Sequence, residues 1–246
     1  SNDNTAIGAY ALTAAQSTTT RNTGIGCSAL ATTSTGTNNT AVGHHTLKAN
    51  TTGASNVAMG SYALQANTTT SYGVAIGYEA LGATTVAAQT AVGYGAMTQN
   101  TTGDGNTAVG YAALYASTTA DNNSAMGKNA LLANTTASNN TAVGSAALAA
   151  NTTGTRNVAV GTYSLDANTT ANDNTAVGYS AATAITTGVS NTAVGASSLL
   201  TLTTGSRNVA LGYNALTLQT DASDNVGIGN YAGGAITTGA YNTFVG

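Results

Sequence analysis

The chain has 246 residues, of which 42% are hydrophobic and 5% are charged, and its formal net charge is −3. This apolar content argues against disorder, and the five scattered basic residues give no electrostatic footprint for nucleic acid or an anionic membrane. No apolar run is long enough to span a bilayer, so we expect no membrane insertion in this segment. The single cysteine, Cys27, gives neither a disulfide framework nor a zinc pattern. We therefore expect no metal site and no cofactor.

One short motif recurs from end to end, in which a glycine follows a small residue and an aliphatic one. Fifteen such anchor glycines are separated by 14 intervals, of which twelve are 17 residues long, one is 18 and one is 16. Repetition at a fixed period takes precedence over other sequence signals. We therefore predict one repeat domain, 1–246, cut from a longer fibrous chain. We number each repeat from its anchor glycine as position 0; the anchors are Gly8, Gly26, Gly43, Gly60, Gly77, Gly93, Gly110, Gly127, Gly144, Gly161, Gly178, Gly195, Gly212, Gly229 and Gly246.

The composition of the repeat predicts an all-β fold. Thr and Val favour strands, Asn and Gly favour turns, and 17 residues are too few for two helices and a turn. The period fits one coil of a parallel β-solenoid (a β-roll), with two strands of about five residues in each coil. The sequence thus predicts about 14 coils of about 17 residues, stacked in register so that like side chains form columns.

Two columns of large apolar residues are the predicted core. Position −1 is Val, Ile, Met or Leu in all 15 repeats, and position +4 is Leu in 11 of 14. Position −3 is Thr, Ser or Val, and strand alternation places it half-buried on the same face as position −1. The opposite face, with Asn at −4, Ala at −2 and Gly at 0, is expected to be small, flat and suited to close approach of a partner chain.

Two further columns predict contacts between coils. Asn at −4 occurs in 13 of 15 repeats and predicts a hydrogen-bonded amide ladder, the alternative being an Asn that only tolerates a left-handed turn. Position −5 pairs Asp3 with Arg21, Arg156 with Asp173, and Arg207 with Asp224 in successive coils, which predicts inter-coil ion pairs unless the pairing is chance. The Asn column includes Asn39, Asn56, Asn106, Asn123, Asn140, Asn157, Asn174, Asn191 and Asn208.

The motif Asn-Thr-Ala-Val-Gly, at 39–43, 106–110, 140–144, 174–178 and 191–195, resembles the YadA-like head repeat of trimeric autotransporter adhesins. It is also similar to β-roll repeats of phage tail fibres. The resemblance covers essentially the whole chain. It implies a left-handed parallel β-roll, three chains packed side by side as a homotrimer, and binding to host surface components. The family's repeat is shorter and often carries Ser or Ala where Leu stands here at +4.

No group of residues predicts catalysis. The eight acidic residues fall in turn or variable columns without a facing base, and His44 and His45, as neighbours on a strand, would point to opposite faces. The Gly24–Gly26 and Gly227–Gly229 runs lack the strand-to-helix context of a phosphate loop. The tripeptide Asn-Thr-Thr at +7 to +9 matches the sequon for N-glycosylation. The alternative is that it only forms the turn of the coil. The sequons lie at Asn50, Asn67, Asn100, Asn134, Asn151 and Asn168.

Exposed aromatic residues are the candidate contact residues. Tyrosines at +1 would stack on sugars or contact a receptor if they point outward, and would only fill the corner of a coil if they point inward. These tyrosines are Tyr78, Tyr94, Tyr111, Tyr179 and Tyr213.

Together with the solenoid prediction, the resemblance implies a structural segment of an extracellular fibre or adhesin, on a cell-surface appendage or a virion. Such a segment would be a rigid rod that displays multivalent contacts to a host surface, a host receptor or surface glycans. Its expected partner is itself, as a homotrimer or filament. An ice-binding β-solenoid with a threonine array is the alternative, although neighbouring threonines on a strand point to opposite faces. A polysaccharide-cleaving solenoid would need an acidic groove, and none is visible, so we expect no enzyme.

Overall fold

The computed structural model of the chain describes residues 3–246 and contains two compact units, one ending at Asn122 and the other spanning Asn123–Gly246. Each unit is a parallel β-solenoid. Residues 3–246 contain no helix of the length and apolar character needed to cross a bilayer.

Every coil contributes one three-residue strand, which ends at position −1. Strands β1–β7 belong to the first unit and β8–β15 to the second, and within each unit consecutive strands pair in parallel and in register. Val160 lies opposite Val143, as the period predicts. In chain order, β1 to β15 are Thr5–Ile7, Thr23–Ile25, Thr40–Val42, Val57–Met59, Val74–Ile76, Thr90–Val92, Thr107–Val109, Ser124–Met126, Thr141–Val143, Val158–Val160, Thr175–Val177, Thr192–Val194, Val209–Leu211, Val226–Ile228 and Thr243–Val245.

The predicted second strand of about five residues does not form in the described residues, because left-handed backbone interrupts it. Ala146 at +2 and Leu148 at +4 have φ of 56° and 51°, and the same two positions are left-handed in most coils. A left-handed residue breaks the pleat of a strand. The segment still bonds to its neighbours, since Leu148 N–H donates to the Ser164 carbonyl at 3.0 Å. Each coil therefore consists of one short strand and a series of hydrogen-bonded turns that leads to the strand of the next coil.

The core lies on the opposite strand face from the one predicted. Alanines at −2, such as Ala142 and Ala159, are fully buried together with the +4 leucines, such as Leu148 and Leu165. Position −1 was expected in the core but points outward, with Met126 46% exposed. Position −3 does share the face of position −1, but that face is the outer one. The small face of Asn, Ala and Gly is therefore the interior of the coil and not a surface for a partner.

The narrowness of the coil explains this inversion. A Cβ atom added to Gly24, at −2, would lie 3.3 Å from the Ala29 carbonyl oxygen and 3.4 Å from Leu12 Cγ. Only Ala or Gly therefore fits at −2 opposite a +4 leucine. In the last coil the large and small residues change places: Phe244 stands at −2, and Gly233 replaces the leucine at +4. A Cβ on Gly233 would lie 2.6 Å from Phe244 Cδ2.

The anchor glycines are required by both conformation and space. Gly178 has φ of 137°, and a Cβ there would lie 2.7 Å from the carbonyl carbon and oxygen of Gly195 in the next coil. Real side chains do not tolerate such a contact with backbone, so only glycine lets the coils stack at this corner.

Two columns of buried amides, at −4 and +7, bind successive coils together. Asn157 Oδ1 accepts a hydrogen bond from the backbone N–H of Asn174 at 3.0 Å. Its Nδ2 donates to the Ala171 carbonyl at 2.8 Å, and Asn168 Nδ2, at +7, donates to the same oxygen at 3.2 Å. No described −4 asparagine has positive φ. The −4 column is thus an amide ladder and not a set of left-handed turn residues.

Candidate binding surfaces

The outward strand positions −3 and −1 form a continuous surface on each unit, which we call the aliphatic face. Position −1 holds only Val, Ile, Met or Leu and position −3 only Thr, Ser or Val, so no charge lies on this face. Val194 and Ile228 remain 39% and 41% exposed. Because the strands pair in register, equivalent side chains lie beside each other from coil to coil. The −1 side chains form an apolar row on this face, next to mostly Thr or Ser side chains at −3. A partly exposed apolar row of this kind is typical of an interaction surface.

A row of ring contacts runs along the first unit, and we call it the aromatic row. Tyr78 and Tyr94 are stacked with centroids 5.3 Å apart, and Tyr94 and Tyr111 with centroids 5.2 Å apart. Tyr62 meets Tyr78 edge to face at 5.8 Å. The three stacked tyrosines remain exposed to solvent. The aromatic row consists of His44, His45, Tyr62, Tyr78, Tyr94 and Tyr111.

The second unit carries separate aromatic pairs in the same two columns. Tyr163 meets Tyr179 at 6.4 Å and Tyr213 meets Tyr231 at 5.4 Å, both edge to face. All five tyrosines singled out at +1 are exposed, so they point outward and do not fill the corners of coils. Their role as contacts stays a prediction.

The two histidines do not point to opposite faces, as strand alternation had suggested. They follow β3 in a turn, where His45 has φ of 55°, and their rings stack with centroids 3.8 Å apart. Desolvation, then the charges of His44 and Lys48, lower the pKa of His45 below its ordinary value. Residues 3–246 contain no cluster of three or more His, Cys, Asp or Glu side chains suited to a metal ion. Cys27 is a free, exposed thiol.

The sequon asparagines at +7 are buried, and their amides are used inside the coil. All six are fully buried, and Asn168 Nδ2 donates to Asn151 Oδ1 at 3.0 Å. In the folded chain these amides are inaccessible as glycan acceptors, which agrees with their interpretation as part of the turn. The threonine that follows is also engaged, since the Thr152 hydroxyl donates to the Thr169 carbonyl at 3.0 Å and Thr203 to Thr220 at 2.8 Å.

The −5 column forms ion pairs between coils of the second unit. Arg156 Nε lies 2.7 Å from Asp173 Oδ1, and Arg207 Nε lies 2.6 Å from Asp224 Oδ1. The hydrogen bonds from the guanidinium groups lower the pKa of both aspartates. Both pairs are solvent-exposed, so they contribute more to register than to stability.

No protein-family model matches the chain, and no curated protein sequence matches it significantly. Its surfaces must therefore be interpreted from their own geometry. Two features of these surfaces were not predicted from the sequence. The first is the continuity of the aromatic row, which places residues from two adjacent positions, +1 and +2, in one line. The second is a pair of glycines at +5, Gly82 and Gly234, which the column alignment already contained.

Proposed function

We propose that the chain is a structural segment of an extracellular fibre or adhesin, in which copies of the chain pack side by side through the aliphatic face. The fibre would belong to a cell-surface appendage or a virion and would present repeated weak contacts to a host surface. The observation that carries this proposal is the uncharged aliphatic face, which is displayed on the outside of every coil. We include no catalytic activity in the proposal.

The chemistry of the aliphatic face favours a second copy of the same chain as its occupant. Burial of aliphatic surface contributes about 25 cal/mol per Å². A face with the same spacing and the same uncharged side chains on each copy is self-complementary, because coils of the same unit in two chains can align side by side. The resemblance of the Asn-Thr-Ala-Val-Gly motif to adhesin and tail-fibre repeats supports three copies in a left-handed roll.

The remaining exposed columns are available for contacts in such an assembly. Tyr179 and Tyr213 are 60% and 51% exposed. Tyrosine offers a large apolar ring together with a hydroxyl, and it loses little conformational entropy on binding. A single coil would bind weakly, but repetition in several chains raises the overall avidity.

Light scattering coupled to size exclusion tests the packing proposal. We expect the chain to elute as an oligomer, and we expect the pair Val143→Lys and Val160→Lys to dissociate it, because like charges would meet in the interface. The matched control is Ala149→Lys, in the same unit at +5, where another coil carries Lys48. A folded monomer of the unmodified chain would overturn the proposal.

Ice binding is the second candidate, and one observation favours it. Threonines at −3, such as Thr175 and Thr192, lie in register on the aliphatic face beside Val177 and Val194. The threonine column at +8 does not serve this purpose, because its hydroxyls donate within the solenoid. Ice binding needs the aliphatic face free, whereas packing covers it. Inhibition of ice recrystallisation by a dilute, monomeric chain would therefore favour ice binding over the fibre.

A further inference from the structure

Position +5 is one of the variable columns of the repeat, and glycine occupies it in two coils. Other coils place Thr, Ala, Leu, Lys, Gln, Tyr or Asp there, whereas the two exceptions are Gly82 and Gly234. Neither glycine has a left-handed φ, unlike the anchor glycines. A Cβ on Gly82 would lie 3.3 Å from its nearest neighbour, the Glu79 carbonyl oxygen. A Cβ on Gly234 would lie 3.0 Å from the Tyr231 carbonyl oxygen, so both glycines lie tightly against backbone. The φ angle does not require glycine at this position, however, and most other coils carry a side chain there.

A groove lies at each of these two glycines, beside a tyrosine at +2. The first has a volume of about 320 Å³ and is lined by Tyr62, Gln65, Glu79, Gly82 and Thr98 together with two alanines. The second, in the other unit, has about 370 Å³ and is lined by Tyr231 and Gly234 with Thr217, Leu218 and Ala235. The same combination of columns thus opens a groove twice.

The two grooves differ in polarity, and only the first has a carboxylate and an amide. Glu79 supplies two acceptor oxygens, and Gln65 supplies both a donor and an acceptor. The residues lining this groove include no Lys or Arg, so the groove does not attract an anion. The second groove has one hydroxyl, that of Thr217, and no amide or charge among its lining residues.

The backbone and side chain of Glu79 are held from both sides. Its N–H donates to the Ser61 carbonyl at 3.0 Å, and its carbonyl accepts the Thr98 hydroxyl at 3.0 Å. A hydrogen bond with the Glu79 carboxylate, together with its charge, raises the pKa of the Tyr78 phenol. Glu79 therefore joins the groove to the aromatic row, and the groove is preformed in the free chain.

We propose that the groove at Gly82 binds a neutral pyranose unit of an oligosaccharide. The apolar face of the sugar ring stacks on Tyr62, the floor at Gly82 allows close approach, and Glu79 and Gln65 hydrogen-bond adjacent hydroxyls. The volume lies at the small end of the range for ligand pockets, roughly 300–1,000 Å³, which suits one or two sugar units. This inference rests on the proposed surface-contact function and names both its site and its ligand class.

Titration with neutral hexasaccharides of glucose, galactose or mannose, followed by amide chemical shifts, tests the proposal. We expect at least one hexasaccharide to shift the amides of residues 79–82. Gly82→Thr fills the groove with a threonine side chain. Threonine already occupies +5 in other coils, as Thr98 and Thr217. The variant should therefore fold, and it should bind the saccharide at least about tenfold more weakly. Glu79→Gln removes the charge while keeping the shape and should weaken binding several-fold.

Ala31→Thr is the matched control, because it makes a threonine at the same +5 position of the same unit, away from the groove. It should leave binding unchanged. Absence of binding by all three sugars would overturn the inference, and so would binding that Gly82→Thr leaves intact. Light scattering on the same samples reports the packing of chains separately, so failure of the saccharide site and failure of the fibre proposal are distinguishable.

Discussion

The two units share their buried columns but differ in their exposed ones. Both have Ala or Gly at −2 in nearly every coil, Leu at +4 in most, and buried amides at −4 and +7. On the outside, the first unit carries the aromatic row and the polar groove, whereas the second carries two isolated tyrosine pairs and two ion pairs. The buried columns therefore specify the coil, and the exposed columns are free to specify what it contacts.

The anchor glycines should give the largest effect, and an equal one in both units. Gly60→Ala and Gly178→Ala each place a Cβ in left-handed backbone and against the next coil, at 2.6 Å and 2.7 Å. We expect each to lower the free energy of unfolding by about 2–6 kcal/mol. Denaturant titration measures it. Gly82→Ala, at a glycine without strain, should change stability by under about 1 kcal/mol; similar losses at all three sites would contradict the assignment.

The +4 leucines come next. Leu81→Ala in the first unit and Leu148→Ala in the second remove fully buried side chains, so each should cost about 2–5 kcal/mol. Val143→Ala, on the aliphatic face, should cost under about 1 kcal/mol in a dilute monomer. Chemical denaturation at low protein concentration compares the three variants. If Val143→Ala lowered the free energy of unfolding more than Leu148→Ala, position −1 would belong to the core after all.

The two amide columns can be separated within one unit. Asn157→Leu leaves the Asn174 N–H without its acceptor in a buried site and should cost about 1–3 kcal/mol. Asn168→Leu should cost less, because the same +7 column already accommodates Ile185 and Leu202 as buried side chains. Thermal unfolding of the two variants gives the order. Equal losses would show that the −4 ladder has no special role.

The smallest effect is expected for the ion pairs. Asp224 has a lowered pKa in the folded chain, so its contribution is present above the ordinary aspartate pKa and is lost as pH falls through the lowered value. Arg207→Gln should raise the pKa of Asp224 toward its ordinary value with little change in stability near pH 7. Carboxyl NMR titration measures it, with Asp173 as the internal control. An unmoved Asp224 pKa would exclude the pairing.

The period and register of the fold followed from the sequence, but the direction of the strand faces did not. Ranking by hydrophobicity places Val and Ile inside and Ala outside, whereas a coil this narrow reverses that order. The sequence feature that indicated the buried face was how few residue types each column accepts. Position −2 accepts almost nothing beyond Ala and Gly, as a tightly packed interior requires, while position −1 accepts four different shapes.

The turns were missed for a different reason. Leucine at φ near 50° is uncommon, and nothing in a single repeat indicates it. The same backbone brought His44 and His45 together, and it placed residues from +1 and +2 in the aromatic row. The groove at Gly82 had a signal in the sequence, because Gly82 departs from a column that otherwise carries a side chain in nearly every coil.

In-register pairing of like residues also bears on how such a chain evolves. Because neighbouring coils within each unit bond to each other through the same atoms, recombination between misaligned repeats can delete or insert a whole coil in frame. The new junction then reproduces the bonding of the old ones. The number of coils can therefore change by mutation without disturbing the fold of the remaining coils. A longer or shorter solenoid, with more or fewer exposed surface residues, needs no new contact between coils.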